Sequence, residues 1–260
     1  MELIEWKDLL TSYEYAVEEL KVKFKNIRNE LKGRGEYSPI EFVTGRVKKV
    51  SSIIAKAKRL GVSIDEIEEK IEDIAGIRIM CQFVEDIYIV TSLIRSRKDM
   101  KVVYEKDYIN NYKESGYRSY HVIIKYPIQT ASGYKEILAE IQIRTLAMNF
   151  WATIEHSLRY KYDKFMPQDI AQRLRRAADA AFLLDQEMSE IREEIMKAQV
   201  IFEMKSMTTR DILDAIQQLY KDGQDDIAMH FQKEFDKIMT FEDLNKLLAL
   251  KKEIENVVKR

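Results

Sequence analysis

The stretch "ILAEIQIRT" (137–145) constrains the fold most, because from Ala139 onward apolar and polar residues alternate along it. A period of two belongs to a β-strand with one buried face, since no helix gathers Ile137, Ala139, Ile141 and Ile143 on one side. The other face then carries Leu138, Glu140, Gln142 and Arg144. "GIRIMCQF" (76–83) repeats the pattern, setting Ile77, Ile79, Cys81 and Phe83 against Arg78, Met80 and Gln82. "ESGYRSYH" (114–121) reads as the start of a third strand, crowded with hydrogen-bonding and stacking groups before the apolar "VIIKYPI". One polar row reads as a solvated face. Three of them read as a sheet face lined with functional groups.

Around these strands, periodicity predicts a first helix over 3–31, with Val17, Leu20, Phe24, Ile27 and Leu31 as its apolar stripe. A strand follows at 40–48, with Phe42, Thr44, Arg46 and Lys48 on one side, then a helix at 50–60 closed by Gly61. The pattern continues with a helix at 86–98, a short strand near 101–106, a strand ending at Pro127, a turn at 131–133 and a strand over 134–145. Beyond Thr145 only helix is legible: 145–163, a long one from about 167 to 206, and three shorter ones. The expected class is α+β, a mixed sheet of about five strands flanked by helices, with a helical C-terminal appendage. Residues 1–163 are expected to form the functional domain. Residues 164–206 are expected to associate with a partner helix, because Leu174, Ala177, Ala181, Leu184, Met188, Ile191 and Ile195 recur at spacings of three and four. Residues 207–260 have no assigned role.

The global charge names no partner, with 43 basic residues against 44 acidic. Locally the balance differs: residues 21–59 hold twelve Lys and Arg against Glu30, Glu36 and Glu41. Ser52, Lys56 and Arg59 share one helix face, placed to grip an extended polyanion such as a triphosphate or a nucleic acid. Asp73, at the entry to the Arg78 strand, and Glu140 have the chemistry to share one Mg²⁺ bound to phosphate oxygens. Three scattered histidines (His121, His156, His230) and no HExxH or CxxC argue against a dedicated zinc site. Cys81, the only cysteine, is expected as a buried thiol. No basic-then-apolar leader opens the chain and no apolar run reaches about 18 residues, so a cytoplasmic protein without membrane contact is expected.

Four segments, "GRVKKVSSIIAKAKR", "EDIAGIRIMC", "KESGYRSYH" and "AEIQIRTLAMNFWATIEHSLRYKY", resemble the synthetase domain of the RelA/SpoT family. The likeness extends over about residues 5–200 and is greatest to the small alarmone synthetases of the RelQ type. It implies a nucleotidyltransferase-like fold that transfers the β,γ-pyrophosphate of ATP to the 3′-hydroxyl of GDP or GTP, without the hydrolase activity of long members. By the same resemblance, Arg46 and Arg78 sandwich adenine, while Lys48, Ser52, Lys56 and Arg59 hold the ATP phosphates. Asp73 and Glu140 bind Mg²⁺, and Glu140 also serves as base for the 3′-hydroxyl. Tyr117 stacks on guanine through its ring, so that loss of its hydroxyl is expected to be mild. Lys113, His121, Gln142 and Asn149 contact the acceptor nucleotide. Lys21, Lys25 and Arg28, with Phe42 and Thr44, match an allosteric site for pppGpp in a homotetramer. Ser115 departs from the asparagine usual in long members. Alternatives are a single-stranded RNA-binding module, using the basic cluster with Tyr112, Tyr117 and Tyr120, or a nucleotidyltransferase of other specificity. RNA binding explains neither Asp73 nor the Glu140 row.

Overall fold

A computed structural model describes residues 3–131, 133–161, 167–241 and 243–258. The elements run α1 (Leu3–Gly33), β1 (Phe42–Val47), α2 (Val50–Leu60), a 3₁₀ turn (Ile64–Glu66), α3 (Ile67–Lys70), β2 (Ala75–Cys81), α4 (Val84–Ser96) and β3 (Lys101–Asp107). Then come β4 (Tyr120–Thr130), β5 (Gly133–Thr145), α5 (Leu146–Lys161), α6 (Gln168–Lys221), α7 (Asp225–Phe241) and α8 (Leu244–Val258). The strands form one mixed sheet in the order β1-β2-β5-β4-β3. Only β2 and β5 run parallel; the other neighbours are antiparallel.

The alternation sorts the residues of β5 as expected. Ile137, Ala139, Ile141 and Ile143 are buried, together with Ile77, Ile79 and Cys81 of β2. Helix α1 covers this face with Tyr13, Ala16, Val17, Leu20 and Phe24. Gly45 permits that close approach, because a Cβ there would lie 2.7 Å from Val17 Cγ1 and 3.0 Å from Lys21 Cδ.

On the opposite face, register does the positioning. Gly76 pairs with Glu140, Arg78 with Gln142 and Met80 with Arg144. From β4, His121 lies opposite Gln142 and Ile123 opposite Glu140, while Thr44 of β1 lies opposite Arg78. Candidate functional side chains from four strands therefore share one patch.

Four expectations need correction. Glu114–Ser119 is loop and β4 begins only at Tyr120, because Gly116 adopts φ +87° and its N–H turns back to the Lys113 carbonyl (2.8 Å). Strand β4 continues past Pro127 to Thr130, pairing with β5 as far as Gly133. Helix α6 does not stop near 206 but reaches Lys221, since neither glycine nor proline interrupts it before Gly223. Among the described residues two helices follow it, not three. Residue 132 of the expected turn and residues 162 and 163 of the expected 145–163 helix lie outside the described residues.

The chain divides into two units, Met1–Ser189 and Glu190–Arg260. The second has a core of its own, built from Ile212, Ile216, Leu219, Ala228, Phe231, Phe235, Leu247, Leu250 and Ile254. Among the described residues, no helix is long and apolar enough to cross a membrane.

Candidate active site

The carboxylate of Asp73 sits just before β2, where the N–H of Lys48 donates to the Ile74 carbonyl (2.8 Å) and brings the end of β1 alongside. Both Asp73 oxygens are taken: Lys48 Nζ donates to one (2.7 Å) and Lys56 Nζ to the other (2.8 Å). Burial pushes this carboxyl up, but the hydrogen bonds and charges of the two lysines outweigh it and hold it below the usual carboxylate range. Lys56 reaches inward from α2, while Ser52 and Arg59 on the same helix remain exposed.

Glu140 is held differently. His121 Nδ1 lies 2.8 Å from Oε1, and Gln142 Nε2 donates to Oε2 (2.8 Å). Burial alone would raise the Glu140 carboxyl, and Asp73 adds to that; His121 and Gln142 prevail and keep it below its ordinary value. A carboxylate only accepts, so His121 donates to it from Nδ1, and the tautomer with its one proton there leaves Nε2 as acceptor. The Tyr117 hydroxyl, 2.7 Å away, then donates to Nε2. Arg144 closes the circuit, donating to the Tyr117 oxygen (2.6 Å) and to Gln142 Oε1 (2.7 Å). Glu140, His121, Tyr117, Arg144 and Gln142 thus form a closed ring of hydrogen bonds.

The Tyr117 ring packs on a small cluster of Trp151, Ala152 and Ala178 from α5 and α6. Tyr108 and His121 meet it edge-on, and Lys113 Nζ hovers 5.0 Å from its centroid. Arg46 is exposed and Arg78 half-buried on the same sheet face; burial and the flanking Arg144 and Arg46 charges lower the Arg78 pKa. Beside the 113–115 loop, a cleft of about 590 Å³ opens toward Glu155, Arg159, Gln172 and Arg175.

The structure therefore brings together Lys48, Lys56 and Asp73 in one group, and Tyr117, His121, Glu140 and Gln142 in another. Asn149 is half-buried on α5. The second expected cluster is split. Phe42 and Thr44 lie on the Arg78 face of the edge strand β1, whereas α1 covers the opposite face at Gly45. Lys21 is bound to Glu18 (2.7 Å), Arg28 lies 4.0 Å from Glu41, and Lys25 is exposed. A single ligand touching both sets has to straddle the sheet edge. Sequence reasoning gave Arg144 no role, although it stands in the polar row of β5. It also missed Tyr104, whose hydroxyl bonds Glu72 beside Asp73.

Among the described residues, no cluster of three or more His, Cys, Asp or Glu side chains is arranged to hold a metal. Glu140 feels the charge of Asp73. Two carboxylates suit Mg²⁺, which commonly takes one or two protein oxygens and completes its shell with phosphate and water.

Residues 45–165 match the family described as a region found in RelA and SpoT proteins. GTP pyrophosphokinase YjbM of Bacillus subtilis is 58% identical over 201 residues, spanning 77% of this chain and 95% of that protein. Two solved structures of small alarmone synthetase 1 from B. subtilis superpose on it. The one bound to its product pppGpp has a TM-score of 0.71 and 59% identity, covering 74% of this chain and 98% of that one. The one bound to AMPCPP has a TM-score of 0.66 and 54% identity over the same shares.

Proposed function

This chain belongs to the RelA/SpoT family and is a GTP pyrophosphokinase that makes (p)ppGpp, and we propose that the polar sheet face is where it does so. The observation that carries the assignment is the hydrogen-bonded ring joining Tyr117 to Glu140. It ties a stacking residue for the acceptor base to a carboxylate able to take the acceptor's proton.

Arg46 and Arg78 hold adenine between guanidinium planes. Lys48 and Lys56 exchange the Asp73 carboxylate for the ATP phosphates, with Ser52 and Arg59 reaching them from α2. Asp73 and Glu140 would hold Mg²⁺, which when bound neutralises charge on the phosphate oxygens. Guanine displaces Lys113 from the Tyr117 ring and stacks there. Glu140 accepts the 3′-hydroxyl proton as that oxygen bonds to the β-phosphorus and AMP departs. His121 and Gln142 fix the two Glu140 oxygens, while Lys113 and Asn149 remain candidates for direct contact with GDP or GTP. The activity proposed is synthesis alone.

We also propose a cytoplasmic homotetramer stimulated by pppGpp. An apolar groove of about 580 Å³ lined by Leu146, Phe150, Leu184 and Met188 supports self-association. A relative was solved bound to pppGpp, which supports that ligand for this chain; we assign it to Lys21, Lys25, Arg28, Phe42 and Thr44, with single-stranded RNA as a competitor for the same basic residues. Incubation with ATP, GDP or GTP and Mg²⁺ tests the core reading: AMP must appear with guanosine tetra- or pentaphosphate. Release of ADP, or retention of RNA without turnover, overturns it.

A further inference from the structure

Arg118 is a buried cation, 7% exposed, to which neither the chemistry above nor the sheet gives a role. It lies in the loop before β4, next to Tyr117. Its Nη1 donates to the Gly116 carbonyl (3.2 Å) and to the Ala178 carbonyl of α6 (3.4 Å). Its Nη2 donates to Asp179 of α6 (3.0 Å). The guanidinium plane is held between two rings, Tyr112 of the loop at 4.4 Å and Phe182 of α6 at 4.5 Å. Every partner is therefore either loop or α6.

The backbone is fitted to the same helix. A Cβ on Gly116 would lie 2.6 Å from the Ala178 Cβ, so the loop rests directly on α6 at that point. Tyr117, between Gly116 and Arg118, packs on Ala178 and Trp151, and the Trp151 indole N–H donates to the Leu174 carbonyl (2.8 Å). Burying one cation of an ion pair is a poor device for stability alone, and Arg118 Nε has no hydrogen-bond partner among the described residues. What the arrangement does secure is a fixed loop. A flat fork between two rings suits that task, which a lysine's point charge cannot reproduce.

We propose that Arg118 is a positioning residue, fastening the acceptor-nucleotide loop to α6 and so setting where the Tyr117 ring stands. This rests on the reading of Tyr117 as the stacking residue. Arg46 and Arg78 lie on β1 and β2, which Arg118 does not touch, so ATP binding is spared.

The test compares Arg118→Ala, Arg118→Lys, Asp179→Ala and Tyr117→Ala by KM for each nucleotide, kcat, and amide hydrogen exchange over residues 113–119 in nucleotide-free protein. Arg118→Ala should raise the acceptor KM about tenfold, inside the roughly 5- to 150-fold that base stacking is worth, and leave the ATP KM within about twofold. Exchange over 113–119 should quicken. Arg118→Lys should fall between wild type and alanine. Unchanged acceptor KM with unchanged loop exchange overturns the proposal, as does a parallel rise in both KM values. If Arg118→Ala does not fold, Asp179→Ala, whose side chain is 45% exposed, and Ala178→Val, which presses on Gly116 from the helix, should move the same two readouts. A normal acceptor KM in Tyr117→Ala removes the stacking assignment instead, and loop exchange then decides for or against the Arg118 fastening.

Discussion

Replacing Tyr117 by phenylalanine keeps the stacking ring and deletes one oxygen, so the resemblance alone predicts little effect. The hydrogen-bonded ring predicts more. That oxygen accepts from Arg144 at 2.6 Å and donates to His121 at 2.7 Å. Without it, Arg144 keeps Gln142 (2.7 Å) and the Ser119 hydroxyl (3.2 Å), but the buried His121 Nε2 loses its donor. An unsatisfied buried polar group costs about 1–3 kcal/mol. In a unit of this size each kcal/mol lowers Tm by roughly 2–4 °C, so the melt should fall by about 2–12 °C. His121 is also freed to turn or to change tautomer, which would present a lone pair to Glu140. We expect kcat to drop about tenfold, short of the 10²–10⁴ attached to a general base itself, with the acceptor KM within about twofold. Thermal melts and steady-state kinetics on the purified variant decide it. A Tm within about 1 °C of wild type together with unchanged kcat refutes the idea that the hydroxyl links stacking to the base.

Glu140→Gln should remove at least about 10² of turnover with folding retained, and near-normal activity would sink its assignment as base. Lys25→Ala with Phe42→Ala should abolish stimulation by added pppGpp, and persistence of stimulation would show that the site lies elsewhere. Leu184→Glu places a charge on a side chain 54% exposed in the apolar groove, and should give a smaller particle in light scattering; an unchanged mass argues against self-association there. Burial raises the Asp185 carboxyl to about 6, although the Thr145 hydroxyl donates to it at 2.6 Å. An acid raised on folding contributes stability that is complete below its unfolded value of about 3.9 and is lost as pH climbs through 6. Asp185→Asn should therefore flatten the fall in Tm between about pH 4 and 6.5; equal slopes in variant and wild type would refute it.

The polar face was legible because polar residues alternate with isoleucines along β2 and β5, so Glu140, Gln142 and Arg78 stood out. Asp73 was legible as a carboxylate at a strand entry, but its capture depends on the end of β1 and on α2 bringing Lys48 and Lys56 to it, 25 and 17 residues away in sequence. The ring through Tyr117 was not legible, since Arg144 lies 27 residues away and meets it only through the β4–β5 register. Arg118 was hidden for a similar reason: its burial depends on Asp179, 61 residues further on. A missed signal lay at Ser63 and Glu66, an S-x-x-E pair in which Glu66 accepts from both the N–H and the hydroxyl of Ser63 and opens the 3₁₀ turn.

The grip of Lys48 and Lys56 on Asp73 bears on which ligands this enzyme ignores. With both ammonium groups already facing a carboxylate, a stray orthophosphate has to break those pairs and strand Asp73 unbalanced. A free divalent cation meets the converse obstacle, because taking Asp73 leaves two lysines side by side without an anion. A nucleotide triphosphate arriving with its cation exchanges both partnerships at once, so no charge is left exposed. Under the proposed function the resting site would therefore discriminate by demanding two opposite charges together, a filter that acts before either base is read.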